Sequence, residues 1–520
     1  MHKKGPRTSE RTERRISIAT CLAMCALTII AQIATTILLS YFLKEKASLF
    51  YMVLEAIGAL AAFGVYLRPG SPSYKLAWIC LLLLLPVAGL LLFWLWGGSK
   101  QAKDLSLKKI PPIPERESQR MGSQANLSRL LQKSPSAARI ATYLQKQGFP
   151  LYRDTKAVYF KDGAAYFDDL IERMSKAETY IFLEYYILAE GEIWNRMFRV
   201  LRERAAAGVE VRIIYDDFGN LNRFRAETLK KVQEAGIEIE AFNPVHRYVN
   251  RIYFNYRDHR KIVVIDGQYA YTGGINLADE YANLIERFGH WKDSAVRIEG
   301  EGAWGFAVQF IHMWKMMGRT LSNEDDYYRS RREFEHSPGF CQPFTDGPLN
   351  NPNNPIEDTY LQLIGTARRM LYVTTPYYAV EESMQKALCI AADSGVDVRL
   401  MVPAIPDHKL TYMVAETYWG ELMRHGVKIY KYTPGFIHSK SVMVDREVAL
   451  VGSTNMDYRT FQLHYECAVM FYHMPVVEEL LEDMDDIMAN SERYTMEQWE
   501  KRSWLRRTIA NIMKLGAIWL

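Results

Sequence analysis

Cysteine is scarce in this chain, and the few cysteines are widely separated. Three of them, Cys21, Cys25 and Cys80, lie in apolar runs, and the other three, Cys341, Cys389 and Cys467, lie far apart. This spacing matches neither a zinc site nor a disulfide framework, so we expect the soluble part to occupy a reducing compartment. A large excess of charge is also missing, because the formal net charge is only +4 for 520 residues. That balance argues against a dedicated polyanion binder, and we predict no nucleic-acid partner.

Three apolar stretches occupy the first hundred residues. Ile16 to Leu43 and Leu76 to Trp96 carry no charge, whereas Tyr51 to Leu67 contains Glu55. A bilayer needs about 20 apolar residues. Basic residues precede the first stretch and follow the third, so an even number of spans is expected if both flanks face the cytoplasm. We predict a multi-pass cell-membrane segment at residues 1–99 with two or three transmembrane helices, the stretch with Glu55 being the weakest candidate, and a soluble body that faces the cytoplasm.

The rest of the chain has the pattern of a repeated α/β fold. Residues 100–125 are polar and rich in proline, so we predict a linker there, within a membrane-proximal region at 100–150. From about Leu151, strand-like runs alternate with amphipathic helical ones. The order of these runs repeats after about 180–190 residues, and GVEVR at 208–212 matches GVDVR at 395–399. We therefore predict two related lobes, at residues 151–335 and 336–520.

Each lobe carries one copy of the pattern H-x-K-x4-D-x6-G-[GS]-x-N. The first copy comprises His259, Lys261, Asp266, Gly273, Gly274 and Asn276, and the second comprises His438, Lys440, Asp445, Gly452, Ser453 and Asn455. Two such copies are not chance. The His and Lys of each copy lie two residues apart in an apolar, β-branched run, so a strand would point both to the same face. The Asp would precede a hairpin turn, and a pseudo-two-fold axis would place both sets in one cleft.

Such a cleft would hold two imidazoles, two ammonium groups and several neutral donors, without a carboxylate cluster for a metal. The lysines could clamp a phosphodiester, one imidazole could attack phosphorus, and the other could protonate the leaving alcohol. We predict phosphoryl transfer through a phosphohistidine, with no metal and no cofactor. For Asp266 and Asp445 a catalytic and an architectural role are equally open, because Asp before a turn is common for structural reasons. Gly274 stands where the second copy has Ser453, so the hydroxyl is dispensable in one lobe.

These motifs resemble the HKD motifs of the phospholipase D superfamily, and the whole chain resembles the bacterial cardiolipin synthases. The wider resemblance is carried by Trp78–Gly97, Tyr180–Tyr186, Gly273–Asn276, His290–Ser294, Asp346–Pro348 and Thr374–Tyr378. It implies an α/β fold with two phospholipase D-like sandwich lobes related by pseudo-two-fold symmetry, preceded by transmembrane helices. It also implies that two phosphatidylglycerol molecules condense to cardiolipin with release of glycerol, so both lipids are expected partners.

The resemblance also implies roles for single residues. His259 would be the nucleophile, His438 the general acid, and Lys261 and Lys440 the phosphate ligands, while Gly274, Asn276, Ser453 and Asn455 would line the substrate site. In relatives an acidic residue downstream of each motif histidine orients that same histidine, and Asp293 and Glu466 occupy such positions here. Two departures from the family pattern, Ala379-Val380 and Asp346, concern the rim of the cleft.

Four other functions are possible, of which three use the same phosphoryl-transfer chemistry and one uses no chemistry. A phospholipase D-type hydrolase or a phosphatidylserine synthase-like transferase would use the same phosphohistidine, so the motifs alone do not separate water from a lipid hydroxyl as acceptor. A nuclease is disfavoured by the membrane segments and the near-neutral charge. A non-catalytic membrane scaffold is disfavoured because both motifs are intact.

The C-terminal end has an amphipathic pattern. Its apolar residues at helical spacing are Trp504, Leu505, Ile509, Ile512, Leu515 and Trp519, and its basic residues include Lys501, Arg502, Arg507 and Lys514. This segment could lie on an anionic membrane or pack on the soluble body. The sequence does not separate these two possibilities, and it assigns no protein partner.

Overall fold

The structure is a computed structural model. It describes residues 26–38, 41, 47–68, 71–96, 117–221, 223–244, 256–321, 324–328, 337–348, 353–514 and 516. The chain forms two compact units. The N-terminal unit comprises residues 1–105 with the short segments 243–255 and 518–520, and the larger unit comprises 106–242 and 256–517.

The N-terminal unit is helical. Its described helices are α1 (Ala26–Leu38), α2 (Ala47–Tyr66), α3 (Pro72–Leu84) and α4 (Pro86–Trp96). Within the described residues, only the Ser48–Tyr66 part of α2 is long and apolar enough to cross a membrane. The stretch with Glu55, predicted to be the weakest candidate, contains this helix, while residues 16–25, 39–40 and 42–43 of the first stretch lie outside the described residues.

Proline interrupts the third apolar stretch. The run from Leu76 to Trp96 is broken at Pro86, which has no N–H to continue the helix and clashes with the preceding turn. Gln32 of α1 compensates part of the break, since its Oε1 accepts hydrogen bonds from the N–H groups of Val87 (2.9 Å) and Ala88 (3.2 Å) in the first turn of α4. These N–H groups have no partner inside their own helix.

The first lobe of the larger unit is built on a mixed sheet. Its strands are β1 (Thr155–Phe160), β2 (Tyr180–Tyr185), β3 (Glu210–Asp216), β4 (Glu238–Phe242), β5 (Arg257–Asp258), β6 (Lys261–Ile265), β7 (Tyr269–Gly273), β8 (His290–Lys292) and β9 (Ala295–Gly300). In the described residues the sheet has the order β1-β9-β7-β6-β2-β3-β4. β2, β3 and β4 pair in parallel, and the other neighbours pair antiparallel.

The second lobe repeats this arrangement. Its strands are β10 (Phe340–Asp346), β11 (Met370–Thr374), β12 (Tyr378–Ala379), β13 (Asp397–Pro403), β14 (Lys428–Tyr432), β15 (Gly435–Ile437), β16 (Ser441–Val444), β17 (Val448–Gly452), β18 (Met456–Asp457), β19 (His464–Tyr472) and β20 (Ser491–Tyr494). Its main sheet has the order β10-β19-β17-β16-β11-β13-β14-β20. The predicted boundary between the lobes, at 335/336, lies outside the described residues.

Helices pack on both sheets and on each other. They are α5 (Glu117–Lys133), α6 (Pro135–Lys146), α7 (Gly163–Ser175), α8 (Glu192–Ala206), α9 (Ala226–Glu234), α10 (Ala303–Met316), α11 (Pro355–Thr366), α12 (Glu382–Asp393), α13 (Lys409–Arg424), α14 (Tyr458–Leu463), α15 (Val476–Ala489), α16 (Met496–Glu500) and α17 (Trp504–Lys514).

The region before the first lobe is not only a linker. Helix α5 begins inside the predicted linker at 100–125, and Leu130, Ile140 and Leu144 of α5 and α6 are buried in the hydrophobic core of the second lobe. Burial of apolar side chains stabilises these helices on the lobe. The prolines on which the linker prediction was based, at 111, 112 and 114, lie outside the described residues.

Two short strands cross between the lobes in a reciprocal way. β5 of the first lobe pairs in parallel with the start of β19, matching Arg257 with His464. β15 of the second lobe pairs in parallel with β8, matching Phe436 with Trp291. Each of these crossing strands directly precedes a motif histidine. The exchange is the relation expected for two similar lobes about a pseudo-two-fold axis, and it brings both motifs to the junction between the lobes.

Candidate active site

The motif histidines lie just before their strands, not inside them as predicted. β6 begins at Lys261 and β16 at Ser441. The backbone N–H of His259 donates to Tyr465 O (2.9 Å), and that of His438 donates to Lys292 O (2.6 Å). The backbone of each histidine is therefore anchored on the opposite lobe.

The side-chain pairing of the histidines is crossed as well. His259 Nδ1 lies 2.8 Å from Glu466 Oε1, and His438 Nδ1 lies 2.6 Å from Asp293 Oδ2. From the sequence, each carboxylate was predicted to orient the histidine of its own motif, and these hydrogen bonds contradict that pairing. The physical reason is the strand exchange, which places the residues that follow β8 and the start of β19 beside the opposite motif.

Each lysine bends back toward its own histidine. Lys261 Nζ donates to His259 O at 2.5 Å, and Lys440 Nζ donates to His438 O. Both ammonium groups are almost completely buried. Burial lowers the pKa of Lys261 to about 8 and that of Lys440 to about 7, against the opposing attraction of the nearby carboxylates Glu466 and Asp293.

Burial and positive neighbours also favour neutral imidazoles. Burial, and then the charge of Lys440, lowers the pKa of His438 to about 4, although Asp293 opposes this. Burial, Lys261 and a third histidine, His464, hold the pKa of His259 well below its ordinary value. When Nδ1–H of a neutral imidazole donates to a carboxylate, the lone pair is on Nε2. Each ring then offers Nε2 as a base or nucleophile.

Aromatic side chains surround the two imidazoles. The rings of Tyr281, Trp291 and Phe436 lie 5.4, 5.5 and 5.9 Å from the ring of His438. The ring of Tyr186 lies 4.9 Å from that of His259. Such walls keep water away from the imidazoles, and this desolvation is the cause of their lowered pKa values.

Gly274 and Ser453 occupy equivalent positions beside the two carboxylates. Ser453 Oγ donates to Glu466 Oε2. A Cβ at Gly274 would lie 2.1 Å from Asp293 Oδ1 and 2.9 Å from the carbonyl oxygen of His438. The first lobe therefore combines a short carboxylate with glycine, and the second combines a longer carboxylate with serine.

The motif asparagines are buried, and each forms hydrogen bonds with neighbouring residues. Asn276 Oδ1 accepts from the N–H of Ile187 (3.1 Å), and its Nδ2 donates to the hydroxyl of Tyr281 (2.8 Å). Asn455 Nδ2 donates to Thr460 Oγ1 at 3.4 Å. Asn276 thereby orients an aromatic neighbour of His438.

The motif aspartates lie at the other ends of the strands. The Asp266 carboxylate accepts hydrogen bonds from the N–H groups of residues 178, 179 and 180, and the Asp445 carboxylate accepts from those of 368, 369 and 370. Asp266 is five residues beyond Lys261, about 16 Å along an extended strand. These contacts correct the catalytic alternative and assign both residues an architectural part, because each carboxylate ties a turn to the start of β2 or β11.

His464 is a polar group near the centre that the sequence analysis missed. Its ring lies 5.6 Å from that of His259, and its Nδ1 lies 3.6 Å from Glu466 Oε1. His259, His464 and Glu466 could together hold a metal ion, since their ligand atoms lie within 4.8 Å of one another. A metal ion bound there would be coordinated by His259. The sequence signal that could have identified His464 is its position two residues before Glu466, on the same face of a strand.

Comparison with known proteins agrees with this geometry. A family model described as "Cardiolipin synthase, PLD-like domain" matches residues 170–300 and 360–488, and one described as "Phospholipase_D-nuclease N-terminal" matches 57–98. A cardiolipin synthase of Listeria welshimeri is 34% identical over 462 residues, covering 86% of this chain and 94% of the relative. A Streptococcus mutans protein described only as uncharacterized is 35% identical over 449 residues, covering 85% of this chain and 95% of that protein.

Among solved structures, the phosphatidylserine synthase of Haemophilus influenzae superposes with a TM-score of 0.56 at 15% identity, covering 72% of this chain and 97% of that one. This likeness shows the two-lobed phospholipase D-like fold. With the family matches above, it defines a phospholipase D-type phosphatidyltransferase. The chain belongs to the cardiolipin synthase family. Membership of this family and the apolar helix α2 indicate association with a membrane.

Proposed function

We propose that the protein joins two phosphatidylglycerol molecules into cardiolipin and glycerol. The observation that carries the proposal is the pair of buried imidazoles at the lobe junction, each held at Nδ1 by a carboxylate of the opposite lobe. Family membership supports phospholipids as substrates. Phosphatidylglycerol suits the site because it supplies both a phosphodiester and, as acceptor, a free primary hydroxyl.

In the first half-reaction, His259 Nε2 attacks the phosphorus of one phosphatidylglycerol. The bond from phosphorus to the glycerol headgroup oxygen breaks, and that oxygen takes a proton from His438. The products are glycerol and a phosphatidyl group on His259. The ammonium groups of Lys261 and Lys440 would balance the charge on the non-bridging phosphate oxygens as phosphorus becomes five-coordinate.

In the second half-reaction, the neutral His438 takes the proton from the headgroup hydroxyl of a second phosphatidylglycerol. That oxygen attacks the phosphorus, and the bond to His259 breaks. Cardiolipin leaves, and both histidines return to their starting states. The chain's own side chains supply every proton transfer in this cycle, so neither a metal nor a cofactor is required.

The charges around the two histidines support the choice of nucleophile and acid. Asp293 stabilises protonated His438 by charge and by its hydrogen bond. The leading influences on His259, which are burial, Lys261 and His464, all favour its neutral form. The negative phosphodiester would also offset the lysine charges that lower the pKa of His438, so the acid would be protonated when substrate is bound.

We further propose a multi-pass N-terminal unit with the catalytic unit on the cytoplasmic side. The basic residues that flank the apolar stretches support this orientation. We propose that Gly274 and Ser453 shape the substrate site by setting the positions of Asp293 and Glu466, and that Asn276 and Asn455 hold the surrounding loops.

The test is turnover of phosphatidylglycerol by the purified full-length protein in a buffer that contains a chelator. With the phosphate labelled, wild type should form labelled cardiolipin, and protein denatured at alkaline pH, where a phosphohistidine is stable, should retain label. His259→Ala should do neither. His425→Ala is the matched control and should leave turnover unchanged, since His425, which directly follows α13, pairs with Asp393 at the end of α12.

The products distinguish the alternatives. Phosphatidic acid in place of cardiolipin would show that water is the acceptor and that the protein is a hydrolase. Labelled protein without either lipid product would indicate a different acceptor alcohol. Wild type that neither binds label nor turns over the lipid would contradict the proposal.

A further inference from the structure

The last described helix packs on the protein with its charged side. Helix α17 (Trp504–Lys514) lies on α13, where Arg506 Nε donates to Glu416 Oε2 at 3.1 Å and Lys514 Nζ lies 4.0 Å from the ring centre of Tyr418. Its buried residue is the small Ala510. The inward side of α17 is therefore formed by cations and an alanine.

Its large apolar side chains point to solvent. Trp504 is 71% exposed, Leu505 53% and Ile512 62%. These residues fall within about 100° around the helix axis, because successive residues turn by about 100°. A surface helix of a globular protein normally has the reverse arrangement, with its apolar stripe on the core. Because of this reversal, α17 exposes an apolar surface to water. Burial of that surface would be favourable.

The charge of the segment indicates what covers this surface. Residues 501–514 contain five basic residues and no acidic one. Arg502 and Arg506 pair with Glu416. Arg507 and Lys514, in contrast, form no ion pair with a carboxylate in the part of the chain that the structure describes. Arg507 also lines a groove beside Trp499 and Trp504, where a guanidinium and two indoles lie together.

We propose that α17 docks on an anionic phospholipid surface, with Trp504, Leu505 and Ile512 in the acyl boundary and Arg507 at a lipid phosphate. Apolar and basic side chains in one short helix are the combination that binds the interface of an anionic bilayer. Eleven residues span about 16 Å as a helix, too short to cross the membrane. The proposal extends the proposed function, since it holds the catalytic unit at the surface that contains its phospholipid substrate.

The first test measures the surroundings of residue 512 in the full-length protein. An environment-sensitive fluorophore is attached to Ile512→Cys, and the matched control is Leu131→Cys on α5, where leucine is 55% exposed. The unsubstituted protein, treated with the same reagent, gives the background from native cysteines. The protein is reconstituted in phosphatidylcholine vesicles with and without phosphatidylglycerol, and nitroxides on the acyl chains serve as quenchers.

Docking predicts blue-shifted emission at position 512, with quenching by the nitroxide lipids several-fold stronger than at position 131 and strongest with phosphatidylglycerol present. Quenching by aqueous iodide equal to that at position 131 would overturn the proposal. A blue shift without nitroxide quenching would overturn it too, because it would show that another protein surface covers the helix. This measurement does not depend on turnover, so it can fail or succeed independently of the proposed reaction.

The second test separates docking from folding. Leu505→Gln with Ile512→Gln should raise KM on phosphatidylglycerol vesicles by roughly tenfold, with kcat and the thermal midpoint unchanged, and should leave turnover of a water-soluble short-chain analogue unaffected. Leu131→Gln is the control and should behave as wild type. Equal loss on vesicles and on the soluble analogue would assign the helix a structural role and contradict the proposal.

Discussion

His259 Nδ1 and Glu466 Oε1 lie 2.8 Å apart although they belong to different lobes. Asp293 and His438 repeat the relation in the opposite direction at 2.6 Å. Neither lobe therefore supplies both members of a pair between a motif histidine and its carboxylate. This interdependence explains why the two motifs occur together in one chain, since each lobe completes the other's site.

Replacing Glu466 by glutamine should lower kcat by roughly 10³-fold. An amide can present its N–H to Nδ1 and stabilise the tautomer whose Nε2 carries the proton, so His259 could not attack. The thermal midpoint should change little, because size and shape are kept. The check is kcat together with thermal unfolding. Asp397→Asn, a carboxylate paired with Arg399 away from the centre, is the control, and a similar loss of kcat in both variants would refute the orienting role.

Replacing Asp266 by alanine should destabilise the protein without slowing the chemistry of the folded fraction. Three backbone N–H groups would lose their acceptor, at a cost of about 3 kcal/mol, so the thermal midpoint should fall by roughly 5 °C. Asp445→Ala should behave alike, because its contacts are equivalent. The measurement is kcat at low temperature, corrected for folded protein. A large loss of kcat with an unchanged midpoint would restore a catalytic part for these residues.

Replacing Gly274 by alanine should lower kcat by about 10²-fold. The added Cβ would overlap Asp293 Oδ1, which would have to move away from His438. Gly365→Ala provides the control, because that glycine lies in α11 with open space around the Cβ position. The measurement is kcat of both variants. The prediction fails if Gly274→Ala keeps wild-type kcat.

Affinity for phosphatidylglycerol should fall as the pH rises through about 7 to 8. The lysines bind a phosphodiester anion only when protonated, and burial lowers the pKa of Lys440 to about 7 and that of Lys261 to about 8. On the acid side His259 stays neutral to well below pH 6.5, because its pKa is lowered by burial and by its cationic neighbours. The profile of 1/KM from about pH 5 to about pH 10 tests this, because the lysines act on substrate binding. A profile that rises above pH 8 would exclude the lysines as the titrating ligands.

Local patterns predicted the secondary structure around the site well. The sequence patterns predict strands at 179–186, 209–215 and 236–242, and β2, β3 and β4 lie within two residues of them. The hairpin turns fall at Asp266 and Asp445 as expected. Alternation and apolar runs are local properties of a strand, so they can be recognised without knowledge of its neighbours. The sequence ranked the stretch from Leu76 to Trp96 above the stretch with Glu55, but Pro86 divides the former into two shorter helices.

The amino-acid sequence by itself determined which groups are available for the chemistry: two histidines, two lysines and two downstream carboxylates, in two equivalent sets. Only the tertiary structure decided which carboxylate serves which histidine, because the exchange of β5 and β15 between the lobes is a long-range pairing that motif spacing does not encode. It likewise decided that Asp266 and Asp445 tie turns together, and that α17 packs with its charged side inward. Each outcome depends on which surfaces meet in space, and hydrogen bonding and burial settle that only when the whole chain is folded.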